Sequence, residues 1–332
     1  MMAASMMAES PRARALAWLG VWVGAGAVGL VAAAAGEELP TLAGPAMGTT
    51  YRITLAADLP GRSRGEVHRE IEAELARIDR AASTWREDSD ASRFNRAAAG
   101  DWVGVSADLA AVLELASVVH ARSAGAFDVT VGPLVRLWAD GEPAADAVTA
   151  ALRRVGMRAI ERRPATAPGG AALRKTRPGI EIDLGGIVPG HAVDCLGERL
   201  VALGSRAHLV ELGGEVRAWG EAAPKRPWRV RLRDSGRGAA PEEIDLADGV
   251  ALATSTCRPG RSPIDPRTGR PAGMARGGSV TVRAGRCAVA DAWAVAAVVL
   301  GLEPDGDGTL TAPRLPAPST PAALPAATPR AP

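Results

Sequence analysis

The stretch CAVADAWAVAAVVLG, residues 287–301, places the hardest constraint on what this chain can fold into. Its pattern predicts a helix from Val289 to Leu300 that is small or apolar on nearly every side, and such a helix has to be enclosed by the rest of the chain. Asp291 is the exception. A carboxylate carried into an enclosed place needs a cation or hydrogen-bond donors around it, so Asp291 is a candidate metal-ion ligand. The alternative is an acid near a helix N-terminus, stabilised by the helix dipole.

The elements that must supply this enclosure come in blocks. TTYRITLAA alternates and is rich in β-formers, predicting a strand from about Thr50. Val67, Ile71, Leu75 and Ile78 recur at helical spacing, as do Leu109, Val112, Leu113, Ala116 and Val119. A third helix is predicted over Ala144–Val155. Ile180–Leu184 reads as a strand, with Gly185 and Gly186 as a turn and a helix from about Gly190. Short strands follow at Ala207–Glu211, Val216–Trp219, Trp228–Leu232, Glu243–Leu246, Val250–Ala253 and in GSVTV. Blocks of helices and antiparallel-looking strands, without strict alternation, indicate an α+β body.

The ends differ from this body. Arg12 and Arg14 precede an apolar run from Ala15 to Ala35, and Ala33-Ala34-Ala35 offers the small residues that a signal peptidase accepts. Residues 1–36 therefore read as a signal peptide or a retained membrane anchor, in either case with the body outside the cytoplasm. GAGAVG within this run matches a dinucleotide fingerprint, but it lacks the preceding strand and following acid that the fingerprint needs. Residues 37–302 form the folded body. Residues 303–332 are rich in Pro and Ala, with few large apolar side chains to offset ordering entropy, and are expected to be disordered.

A formal net charge of +2 without a basic run argues against nucleic acid as a partner. Cys195, Cys257 and Cys287 have no paired spacing, so neither a zinc site nor a disulfide framework is indicated. His68, His120, His191 and His208 are not spaced like zinc ligands and read as structural. Asp183 and Asp194 taken alone read as a strand-end cap and a solvated helix acid, and DPRTG as a turn set by Pro266 and Gly269.

Six segments that combine glycines, hydroxyls and acids stand in order along the body: GPAMGTTY, STWREDSDASRFN, GAFDVTVGPLVRLW, IEIDLGGIVPGHAVD, IDPRTG and VADAWAVAAVVLG. Together with LVELGGEVRAWG, this colinear series resembles the ApbE family of FAD:protein FMN transferases from about Leu42 to Leu302. The resemblance implies a T-fold-like α+β body that acts outside the cytoplasm, in the periplasm or anchored in the inner membrane facing it. It implies FAD as substrate and Mg2+ as cofactor, with FMN transferred to a Ser or Thr hydroxyl and AMP released. The partner it implies is an acceptor flavoprotein subunit of an envelope electron-transport complex.

Position by position, the resemblance implies that Met47 and Trp85 touch the flavin or adenine rings. Ala126, Phe127, Asp128 and Ile264 would line the nucleotide site, with Asp183 holding FAD. Gly186, through its main-chain oxygen, Asp291 and Val295 occupy the magnesium positions, and Asp291 is also the catalytic candidate. Four positions depart from the family pattern. Val295 stands for a threonine, Pro189 for a Lys or Glu, Ser262 for a histidine, and TSTCRPG for TSGxY. A flavin-binding relative with little or no transferase activity is the alternative reading.

Overall fold

The alternating stretch at Thr49–Leu55 folds as a strand, pairs with Thr41–Ala46 through a tight turn at Met47-Gly48, and so begins the main sheet. A computed structural model describes residues 28–30, 39–165, 170–232, 242–257, 262–273, 278–303 and 309–313. Seven strands run in the order Thr309–Thr311, Gly278–Ala284, Ala251–Cys257, Glu215–Trp219, His208–Leu212, Thr49–Leu55 and Thr41–Ala46. All neighbours are antiparallel except the first two.

Seven α-helices accompany the strands among the described residues: α1 Arg64–Ala82, α2 Asp90–Arg96, α3 Ala107–Arg122, α4 Gly132–Ala139, α5 Ala145–Leu152, α6 Val188–Ala202 and α7 Cys287–Leu300. Their starts are written locally. Ser63 and Glu66 form a reciprocal capping box on α1, and Ser89 and Ser106 cap α2 and α3. Pro189 sits in the first turn of α6, where a missing N–H leaves no intrahelical bond unmade.

Side-chain alternation sends the two faces of the sheet into different cores. Val210 and Leu212 join the main core with α1, α3, α6 and α7, whereas Leu209, Val216 and Ala218 pack with Trp228, Val230, Ile244 and Leu246. The latter residues belong to a small sheet of Val28–Leu30, Trp228–Leu232 and Glu242–Leu246. As the sequence requires, α7 is enclosed, lying on the sheet and against α6 with eleven buried residues.

Several expectations need correction. Ile180–Leu184 is not a sheet strand; only Glu181 makes an isolated bridge, to Val131. The body also continues past residue 302, because Thr309–Thr311 adds a parallel strand to Thr281–Arg283. Within the apolar N-terminal run, Val28–Leu30 is an extended strand paired with Val230–Leu232. The rest of that run and residues 314–332 lie outside the described residues. No described helix is long and apolar enough to cross a membrane.

Candidate functional site

The site is assembled from the irregular segment 180–187, which owes its shape to side-chain clamps, and from the start of α6. Asn95 Oδ1 accepts the Ile182 N–H at 2.7 Å, and Asn95 Nδ2 donates to the Ile182 carbonyl at 2.9 Å. One amide thus replaces both bonds that a strand partner would have made. The Asp183 N–H then donates to the Val129 carbonyl at 2.7 Å, tying this segment to GAFDV.

Gly186 follows at a point of close approach. A Cβ built there would lie 2.8 Å from Val295 Cγ2 and 3.5 Å from the Phe127 ring, so the loop backbone rests directly on α7. Gly190 makes the second approach. Its Cβ would meet the Cys287 carbonyl at 2.5 Å, and its N–H donates to Asp291 Oδ2 at 3.0 Å. The chain from the Gly186 turn into the first turn of α6 therefore lies against the face of α7 that carries Asp291 and Val295.

Electrostatics single out the same place. Burial, followed by the nearby Asp194 charge, pushes the Asp291 carboxyl up to about 7 against the single hydrogen bond from Gly190. Burial first, and Asp291 second, push Glu215 well above the ordinary carboxylate range. Two enclosed acids within electrostatic reach of one another make a place that favours a cation. Only Oδ2 of Asp291 accepts a hydrogen bond among the described residues. A hard cation bound by oxygens fits this donor set; Val295 adds no oxygen to it, and a retained water can take that position.

Phe127 is held from behind. Its N–H donates to Ser123 Oγ at 3.1 Å, and its carbonyl accepts from His120 Nδ1 at 2.9 Å. Ala126 is buried beside it. Asp128 turns inward: Oδ1 accepts from the Thr130 N–H and hydroxyl at 2.7 and 2.5 Å, while Oδ2 accepts from the Met157 N–H at 3.2 Å. It braces the segment with its side chain. Asp183 keeps a half-buried carboxyl with one bond from the Gly185 N–H at 3.0 Å, and burial raises its pKa.

Met47 stands at the hairpin tip with φ +49°, a left-handed conformation uncommon for a side-chain-bearing residue. Trp85 is 66% exposed in the loop between α1 and α2, an unusual position for a large ring. Ile264 packs with Leu134 and Val148, while Arg267 of DPRTG reaches to 4.0 Å of a Cβ built on Gly125. No hydrogen bond or ring contact among the described residues joins Met47, Trp85 or Ile264 to the Gly186–Val295 group.

One reading from the sequence changes here. Asp194 is not a solvated acid but 1% exposed, accepting from the Cys287 and Ala288 N–H groups at 2.8 and 3.2 Å and from Arg217 Nη1 at 2.7 Å. It caps α7 from a neighbouring helix. Cys257 ends the strand Ala251–Cys257, with Sγ 3.2 Å from Ser262 Oγ. Glu215 and Asn95 were not singled out from the sequence, although both lie in quoted segments. Acids and amides beside GG turns and short helices were the available signal.

With this geometry in place, known proteins can be compared. The sequence model of the ApbE family matches residues 47–307. This chain belongs to the ApbE family. The FAD:protein FMN transferase of Vibrio cholerae is 34% identical over 285 residues, covering 81% of this chain and 85% of that protein. That of Haemophilus influenzae is 32% identical over 296 residues, covering 83% and 84%. Among solved structures, the flavin transferase ApbE from Vibrio cholerae has a TM-score of 0.72 at 32% identity, covering 79% of this chain and 87% of the other. The apo form of the Pseudomonas stutzeri flavinyl transferase ApbE has a TM-score of 0.70 at 31% identity, with 79% and 84% covered. The α+β body is thus the ApbE body.

Proposed function

We propose that this ApbE-family chain is an FAD:protein FMN transferase. The observation that carries this reading is the meeting of the Gly186–Gly190 segment with the Asp291 face of α7, inside a body shared with flavin transferases. The reaction joins an acceptor Ser or Thr oxygen to the FMN phosphorus, breaks the diphosphate bond to AMP, and releases the hydroxyl proton to solvent. Such a transfer needs alignment and charge neutralisation more than a covalent nucleophile on the enzyme.

The residues divide that work. Asp291 and the Gly186 carbonyl would hold magnesium, whose charge would favour the ionised form of Glu215, a carboxyl that burial and Asp291 otherwise hold well above the ordinary range. Magnesium, when bound, would neutralise the diphosphate and the departing AMP. The exposed Trp85 offers a face for a planar ring, the buried Phe127 ring backs the Gly186 turn, and Asp183 offers a carboxylate oxygen to a nucleotide donor. Pro189 fills a helix first turn without breaking it, which supports binding despite the lost charge. Arg12 and Arg14 ahead of the apolar run support a body outside the cytoplasm, in the periplasm or anchored to face it, with an acceptor subunit of an envelope electron-transport complex as partner.

The test incubates the chain with FAD, Mg2+ and candidate acceptor subunits. Expected are AMP release and covalent flavin fluorescence on the acceptor's Ser or Thr. FAD bound in a Mg2+-dependent manner without either product would overturn the transferase reading and leave the flavin-binding alternative.

A further inference from the structure

Three side chains outside the flavin site meet where α1, α3 and α6 come together. Cys195 and His191 are one turn apart on α6, and Asp108 lies in the first turn of α3. Cys195 Sγ is 3.4 Å from His191 Nε2, and the same nitrogen is 3.7 Å from Asp108 Oδ1. All three ligand atoms fall within 4.8 Å of one another. A tetrahedral ion with bonds of about 2.0 Å to nitrogen and oxygen and about 2.3 Å to sulfur separates its ligands by roughly 3.3–3.6 Å.

We propose that Asp108, His191 and Cys195 form a second metal site, for a divalent transition ion of zinc type. The donor set of one thiolate, one imidazole and one carboxylate selects such an ion and rejects magnesium, which prefers an all-oxygen shell. The rival reading, a Cys-His-Asp catalytic relay, fails on geometry. Cys195 and Asp108 face the same imidazole nitrogen, whereas a relay uses one nitrogen for the nucleophile and the other for the acid.

The surroundings support an ion. Arg77 occupies Asp108 Oδ2 and leaves Oδ1 toward His191, an arrangement that orients the ligand from its outer side. Arg77 also pairs with Glu74, at 2.6 Å. A divalent ion with Arg77, Glu74, Asp108 and a Cys195 thiolate leaves the group neutral. His191 is buried, while Asp108 and Cys195 are partly open, which provides an entry side and a fourth position for water.

The consequence reaches the flavin site. His191 directly follows Gly190, whose N–H holds Asp291. An ion here pins the first turn of α6 to α1 and α3, and so fixes the loop on which Asp291 depends. The sequence concealed this site because Asp108 lies 83 positions before His191, and His-x-x-x-Cys alone is not a zinc signature.

The experiment uses the full chain, stripped with chelator and titrated with Co2+. Expected are one equivalent bound with a thiolate-to-cobalt charge-transfer band and tetrahedral d–d bands, displaced by Zn2+ but not by excess Mg2+. Cys195→Ser abolishes the charge-transfer band, Asp108→Asn weakens binding by at least roughly tenfold, and Asp291→Asn leaves the spectrum unchanged. Absence of the band at millimolar Co2+, or its survival in Cys195→Ser, overturns the proposal. If Cys195→Ser does not fold, Zn2+ protection of Cys195 against alkylation in the wild type decides instead: protection supports the site and unchanged labelling refutes it. Neither outcome depends on FMN transfer, so failure here is distinct from failure of the transferase reading.

Discussion

Replacing Asp291 by asparagine keeps the shape of the side chain and an oxygen for the Gly190 N–H, but removes the charge. In the folded protein this carboxyl titrates at about 7 rather than 3.8. A carboxyl whose pKa is higher when folded holds more protons in the folded state, so its contribution to stability falls as pH rises from about 4 to about 7. This cost grows to about 4 kcal/mol by pH 8, and roughly 3 kcal/mol of it accrues between pH 5 and pH 8. Without metal or FAD, the stability of Asp291→Asn relative to wild type should therefore improve by about 3 kcal/mol between those two pH values. The difference between pH values cancels the fixed cost of seating an amide. For a body of this size it corresponds to about 6–12 °C in the relative melting temperature. Calorimetry of both proteins at pH 5 and 8 measures it, and Mg2+ with FAD should rescue only the wild type. The same variant should lose FMN transfer. A relative stability that does not change with pH, or a variant that still transfers FMN, would refute the argument that an enclosed, uncompensated carboxylate is kept here for a cation.

Three further outcomes are expected. Val295→Thr, nearly isosteric against Gly186, should lower the Mg2+ concentration needed for half-maximal FAD binding by several-fold, or about 1 kcal/mol, as read by Mg2+ titration of flavin fluorescence. Asn95→Ala leaves both main-chain groups of Ile182 without their clamp and should cost about 2–4 kcal/mol in denaturant unfolding, with weaker FAD binding. Burial lowers His208 from 6.5 to about 4, so the unfolded chain binds its proton first and stability is lost as pH falls through that window; His208→Gln should remove about 3 kcal/mol of this loss in acid unfolding curves.

The fold was largely legible in the sequence because most elements carry their own period and caps. Val67 to Ile78 predicted α1, which Ser63 and Glu66 start, and the strands from Ala207 to Ala253 appeared near their expected places. Ile180–Leu184 was misread because an apolar run with alternating acids has a strand's pattern, whereas Asn95 supplies from a distance the hydrogen bonds that a neighbouring strand would make. Asp194 was misread for a related reason. Nothing near it in sequence shows that it caps the start of α7, some ninety residues away.

By itself, then, the sequence determined an enclosed closing helix bearing one acid, an α+β body, and the ordered segments that mark the ApbE family. Local pattern suffices for these because apolar periodicity and turn residues act over a few positions. Only the tertiary structure decided that Gly186 and Gly190 rest on the face of α7 bearing Asp291 and Val295, that Glu215 shares the field of Asp291, and that Asp108 meets His191 and Cys195. These arise from packing between segments far apart in the chain, where electrostatic and contact energies depend on distance in space and not on separation in sequence.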